Sequence, residues 1–209
     1  MQHETAKDVH VVNEYYCENL GAPFTVVLIN SVRVVPDQDT GNKKVHIPDM
    51  PGLISAVVRT RMMHPRKLNG AELKFLRHAL SLKAITVANF LEMSPEHLSR
   101  CENGDRVMSS ASEKQLRLAS FMGTFFEDPE AVFSDSKDVD VAEMKKAKID
   151  KRIETIIKFF FTMKIKSTYK NEDIVIKLTR KGQPRNFYLP APECELEDSE
   201  WEVEEPIAA

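Results

Sequence analysis

Hydrophobic positions change their period several times along the chain. Residues 1–20 are polar and mixed, an arm or part of a small N-terminal unit. From Phe24 the text turns β-branched: FTVVLIN and SVRVV flank Asn30-Ser31, which predicts a β-hairpin. VPDQDTGNKK is turn chemistry, and VHI follows as a third short strand. Asp49 is placed to cap a helix of about 13 residues, with Pro51 in its first turn and LISAVVRTRMM as its apolar stripe.

The period then becomes helical. LNGAELKFLRHALSL carries Leu73, Leu76, Leu80 and Leu82, an amphipathic helix and its exit. KAITVANFLEM repeats the pattern with Val87, Ala88 and Leu91. Ser94-Pro95 is a strong helix start, a serine cap with proline in the first helical position. SPEHLSRCENG runs from that cap to Gly104, a stop signal. Two short helices joined by three or four residues predict a helix-turn-helix. A further helix from about Ala111 to Met122 closes the bundle.

Past residue 126 the text turns acidic. EDPEAVFSDSKDVD (127–140) reads as a linker. VAEMKKAKIDKRIETIIKFFFTMKIK reads as a long helix with Ile149, Ile153, Ile156, Ile157 and Phe160 on one side. IVIKL and NFYLP around RKGQPR predict a terminal hairpin, and ELEDSEWEVEEPIAA reads as disordered. The expected fold is α+β. A small β-rich unit (1–48) precedes a central all-α, five-helix helix-turn-helix domain (49–126). The linker (127–140), a helix-and-hairpin unit (141–192) and an acidic tail (193–209) follow.

Composition narrows the function. Seven isolated glycines in 209 residues form no phosphate-cradling loop, and Cys17, Cys101 and Cys194 are too few and too scattered for a disulfide scaffold or a cysteine zinc site. The six histidines form no His-x3-His or H-E-x-x-H spacing, and Cys17 has no motif-level histidine partner. No enzyme, catalytic residue, metal or cofactor is therefore expected. MQHETAKDVH has no apolar signal core and no run approaches a bilayer span, so the expected location is cytoplasmic, with no membrane. The net charge of -3 hides a partition. Residues 137–185 hold 14 Lys+Arg against 7 Asp+Glu, while the stretch from 186 holds eight acids and no base. Such asymmetry points either to polyanion contact or to solvated surfaces that neutralise each other.

ELKFLRHALSLKAITVANFLEMSPEHLSRCENGDR resembles the helix-turn-helix of phage-repressor-like (XRE/Cro) regulators, closest to the HigA/MqsA-type antitoxin group. The likeness extends upstream through IPDMPGLISAVVRTRMMHPRKLNG and downstream through RVMSSASEKQLRLASF, about residues 24–122. The MqsA-like zinc cysteines are missing, since Val35 and Gln38 stand where thiolates would be. The resemblance implies a transcriptional regulator, most simply a repressor, that binds a double-stranded DNA operator as a homodimer. It implies base reading by Glu96, His97, Ser99 and Arg100, with Arg100 the strongest candidate because arginine reads guanine bidentately. It implies phosphate contacts from Lys83, Ser94, Asn103 and Arg106, and an ion pair between Arg77 and Glu102. Leu98 and Cys101 are expected to face inward.

The departures define the alternatives. Ala84 stands where the family has glutamine, Glu92 where it has the turn glycine, and the net charge of residues 68–120 is only +1. One alternative is an antitoxin-like or other interaction module that neutralises a partner protein through its N- or C-terminal unit, with DNA binding secondary or lost. The basic helix around Lys145–Lys166 has two readings, a solvated face over a packed apolar side and a second phosphate-contacting surface. The acidic tail could compete with DNA for that surface.

Overall fold

The computed structural model describes residues 10–36, 43–126, 128–133, 151–166, 173–181 and 201–204. It is α+β, and the chain divides into two compact units. One gathers the described parts of 1–57 and 173–208, the other those of 58–172.

The first unit is a mixed sheet. Its strands are β1 (His10–Tyr16), β2 (Thr25–Pro36), β3 (Lys43–His46), β4 (Val175–Arg180) and β5 (Trp201–Val203). Their order is β1-β2-β4-β5, with β3 also paired to β2. β2 is the organiser, because its β-branched run buries Val26, Val27, Leu28, Val32 and Val34.

Three expectations change here. First, β2 is one continuous strand and not a hairpin. Val12 pairs with Val32 and Glu14 with Ile29, so Asn30 and Ser31 together oppose the single residue Asn13. Asn30 takes a left-handed φ of 49°, which asparagine tolerates, and the chain makes a β-bulge where a two-residue reversal would favour glycine. The Ser31 hydroxyl fills the gap, donating to the Ile29 carbonyl (2.7 Å) and accepting from the Arg180 amide (2.9 Å).

Second, β4 does not belong to a separate C-terminal hairpin with the helix before it. It runs parallel to β2, from Thr25 opposite Val175 to Ile29 opposite Thr179. IVIKL is nearly continuous in apolar residues, and both Ile176 and Leu178 are buried in this pairing. The expected partner NFYLP lies outside the described residues.

Third, part of the acidic tail is structured. Trp201–Val203 pairs antiparallel with β4, Trp201 is buried, and its indole N–H donates to the Asp49 carbonyl (3.3 Å). The buried indole supplies the apolar area that docks this short strand, and Glu202 beside it pairs with Lys181. The rest of the tail lies outside the described residues.

The helices are α1 (Met50–Met63), α2 (Gly70–Ala79), α3 (Ala84–Phe90), α4 (Pro95–Glu102), α5 (Ser110–Gly123), α6 (Glu130–Phe133) and α7 (Lys151–Thr162). α1 starts where Asp49 Oδ1 accepts from the Gly52 amide (3.0 Å). α2 starts with a capping box: Asn69 accepts from the Glu72 amide, and the Glu72 carboxylate accepts from the Asn69 amide. α6 lies inside the expected linker, where Phe133 is buried against Phe90 at 4.9 Å between ring centroids. An apolar anchor four residues past Pro129 is enough to dock this turn; residues 134–140 lie outside the described residues. The expected long helix is described only over α7, and its residues 141–150 lie outside the described residues.

Two buried ion pairs lie among the apolar residues of the helical unit. Arg61 and Glu72 are both fully buried and form a bidentate pair, 2.9 Å at each bond. Arg117 pairs with Glu113 one turn before it (2.8 Å), again fully inside. The two guanidiniums also donate to the carbonyls of Met62, His64, Arg66 and Lys67, so they wrap the loop between α1 and α2. Each buried charge therefore has a partner and its remaining donors are used, the condition under which such pairs are tolerated. Burial alone would raise the Glu72 carboxyl, but its hydrogen bond to Arg61 and the charges of Arg61 and Arg66 hold it below the ordinary range. No helix among the described residues is long and apolar enough to cross a membrane.

Candidate nucleic-acid interface

The candidate surface is built from α3, the turn 91–94 and α4. α4 buries Leu98 and Cys101 and presents its remaining face outward, while α3 buries Val87 and Ala88, meets α6 through Thr86 and Phe90, and leaves Ile85 and Asn89 exposed. Between them Glu92 takes φ 52°, and the amides of Glu92 and Met93 donate back to the carbonyls of Asn89 and Ala88 (3.0 Å each). These bonds satisfy the end of α3 and reverse the chain in four residues. Glutamate thus adopts the left-handed conformation that a glycine would take without a Cβ cost.

Ser94 then caps α4, its Oγ accepting from the His97 amide (3.2 Å), with Pro95 at the first helical position. Glu96, His97, Ser99 and Arg100 are all exposed. Glu96, Ser99, Arg100 and Asn103 share one face by their spacing, opposite Leu98 and Cys101. Gly104 at φ 84° ends the helix, and the amides of Asp105 and Arg106 both return to the Arg100 carbonyl. Arg106 is exposed just beyond. Burial pushes the Cys101 thiol up, away from reactivity.

The base of this surface is braced. Arg77 Nε and Nη2 donate to the two carboxylate oxygens of Glu102 at 2.7 and 3.0 Å, and Nη1 reaches the Leu82 carbonyl at 3.3 Å. One guanidinium so ties α2, the loop before α3, and the end of α4. The hydrogen bond to Glu102 pushes the Arg77 group up, against its partial desolvation. Gly70 completes the brace: a Cβ there would lie 2.5 Å from the Glu102 carbonyl oxygen and 2.7 Å from that of Cys101. Only a hydrogen fits where the start of α2 meets the end of α4.

One implied base reader, Glu96, and one implied phosphate contact, Lys83, have partners within the chain. The Glu96 carboxylate bonds its own amide and the Ser94 hydroxyl, and the Arg100 charge lies one turn on; together they hold it below the ordinary carboxylate range. An anion of the chain's own therefore stands at the N-terminus of α4. Lys83 is exposed but lies 3.8 Å from Glu130 of α6, whose other oxygen accepts from Thr86 (2.7 Å).

Sequence reasoning passed over two exposed apolar residues, Ile85 in the first turn of α3 and Val107 after α4. Ile85 stands three residues before buried Ala88, so periodicity would assign it to the core, yet it is about half exposed. Among the described residues no group of three His, Cys, Asp or Glu side chains is placed to hold a metal ion. Comparison of the chain with protein-family models, curated proteins and solved structures finds no match.

Proposed function

We propose that α3, its turn and α4 are a helix-turn-helix and that the chain is a cytoplasmic, sequence-specific DNA-binding regulator, most simply a repressor. α4 is the reading helix. The observation that carries this is the division of α4: Leu98 and Cys101 inward, and Ser99 and Arg100 outward on a helix braced at its far end by Arg77–Glu102. A reading helix needs that rigidity, because base contacts tolerate little displacement. Arg100 reads a base edge, with guanine the favoured partner. Ser94, Asn103, Arg106 and Lys83 set the register on phosphates. One eight-residue helix spans too few base pairs for useful specificity, so two copies bind a two-fold operator.

Anisotropy titration with DNA from upstream of the coding sequence, against scrambled DNA, tests this at two salt concentrations. A preference of about 10³-fold, lost in Arg100→Ala, supports a specific regulator. Equal, salt-sensitive binding to both DNAs refutes it. The alternative, a module that engages a partner protein, is favoured by the Glu96 carboxylate at the start of α4, where a phosphate would otherwise sit.

A further inference from the structure

The sheet sorts its charged residues by face. Residues paired across strands share a face, and residues two apart along a strand return to it. Glu14 pairs with Ile29, Ile29 with Thr179, and Thr179 with Glu202, so both strand acids stand on the Ile29 face. Leu28 and its partner Leu178 belong to the other face.

The bulge at Asn30-Ser31 decides where Arg33 goes. In an unbroken strand Arg33 would follow Ile29 onto the acidic face. The extra residue puts Val32 there instead, opposite Val12, and turns Arg33 to the Leu28 face. His46, paired with Arg33, and Lys44, paired with Val35, share that face. Arg180 follows Leu178 onto it from β4. Among the described strand residues this face therefore carries Arg33, Lys44, His46 and Arg180 and no acid.

These bases also converge on one place. β3 and β4 lie end to end along the same edge of β2, β4 on Thr25–Ile29 and β3 on Arg33–Pro36. Their ends, His46 and Arg180, meet at Ser31, whose hydroxyl accepts from the Arg180 amide (2.9 Å). Arg33 and Arg180 are both half-buried, and burial together with the Arg180 charge pushes the Arg33 guanidinium down. The Arg180 Nε–H is buried without a hydrogen-bond partner among the described residues. Asp49, which receives the Trp201 indole beside Arg180 on its carbonyl, uses its carboxylate to cap α1. Two like charges, partly desolvated and with a donor left over, cost free energy that an anion between them would offset.

We propose that this junction of β2, β3 and β4 binds a phosphate group, with Arg33 and Arg180 donating to its oxygens and His46 and Lys44 at the rim. The planar fork of arginine meets two phosphate oxygens at once, so two forks hold a tetrahedral group from two sides. A carboxylate has oxygens for one fork only. The site belongs to the sheet unit and does not rest on the helix-turn-helix reading.

Amide NMR of the 15N-labelled full chain, titrated at constant ionic strength with sodium phosphate and separately with sodium acetate, is the test. Phosphate is expected to shift the amides of Ser31, Arg33, His46 and Arg180 saturably. Acetate should bind about tenfold more weakly or worse, the effect of one lost charge-assisted contact. Arg33→Lys and Arg180→Lys keep the charge but lose the fork, so each should weaken phosphate by a similar factor. Lys43→Gln, a charge removed from the opposite face, should leave it unchanged. A short single-stranded oligonucleotide separates the sources: tighter binding than phosphate at the same amides assigns the group to a phosphodiester chain, and weaker binding assigns it to a small ligand. If one arginine variant fails to fold, the other and the wild-type shift map still decide. No saturable shift at these amides, acetate as tight as phosphate, or equal weakening by Lys43→Gln overturns the inference.

Discussion

Glu92 offers the sharpest test of the turn between α3 and α4. Its φ of 52° places a Cβ in the left-handed region, which costs an L-residue roughly 1–2 kcal/mol. Replacement by glycine removes that cost but gives the unfolded chain more freedom, an opposing effect of about 0.5–1 kcal/mol. The net expectation for Glu92→Gly is a gain of about 0.5–1 kcal/mol. The side chain is exposed, so little packing is lost. Urea denaturation followed by circular dichroism should show a higher midpoint at unchanged slope. The melting temperature should rise by roughly 1–4 °C for a chain of this size. Asparagine should fall between glycine and glutamate, alanine should match glutamate, and valine should be worst because β-branching adds to the strain. The alanine variant separates backbone from charge: if it gains as much as glycine, the effect is electrostatic. Loss of stability in Glu92→Gly would refute the reasoning outright.

Gly70→Ala should cost about 1–3 kcal/mol by forcing α2 and α4 apart, read as a lower melting temperature. It should also weaken operator binding, because the brace of α4 moves. His64 predicts an acid limit. Burial and the charges of Arg61, Arg66 and Arg117 depress its imidazole from 6.5 to about 4, while its Nδ1 accepts from the Arg66 amide. Below pH 6.5 the unfolded chain takes up a proton that the folded chain refuses, so stability is full above 6.5, falls as pH drops towards 4, and levels off below it. The shift corresponds to about 3 kcal/mol at most, and partial solvent access reduces it to about 1–2 kcal/mol. His64→Asn keeps an acceptor but cannot titrate there, so its denaturation midpoint should be flatter between pH 4 and 6.5; an unchanged slope sinks the idea.

Local signals carried much of the helical unit. Ser94-Pro95, Gly104 and the leucine spacing of 73–82 act within one or two turns, and the observed α2 and α4 begin and end where those residues dictate. Asn69-x-x-Glu72 is the same kind of signal, a capping box legible in the sequence yet passed over in favour of the leucine pattern. The buried ionic network was not legible. Arg61–Glu72 lies 11 residues apart and Glu113–Arg117 at the four-residue spacing of an ordinary surface pair, so their burial shows only once Arg117 is seen to reach carbonyls up to 56 residues away. The sheet failed for the same reason. IVIKL showed that a strand exists, but nothing nearby shows that it pairs with Thr25–Ile29. Trp201 was hidden by its acidic neighbours, whose charge reads as disorder unless the single indole is weighed separately. For the candidate surface, inward and outward positions on α4 follow from period alone, whereas the self-capping of Glu96 and the proximity of Lys83 to Glu130 need coordinates.

The parallel pairing of β2 with β4 has a consequence for synthesis. β2 leaves the ribosome with β1 already made and β3 soon to follow on Arg33–Pro36, but the Thr25–Ile29 part of its edge waits for a partner that begins at Val175, about 140 residues later. At ~5–20 residues per second, that edge stays open for roughly 7–30 s. Its exposed run, TVVLI, is the kind of segment that pairs with strangers. The helical insert can fold within that interval, since its contacts are mostly its own. The sheet closes last, so the nascent chain passes through its most aggregation-prone stage with the helices already in place, and chaperone demand should track β2.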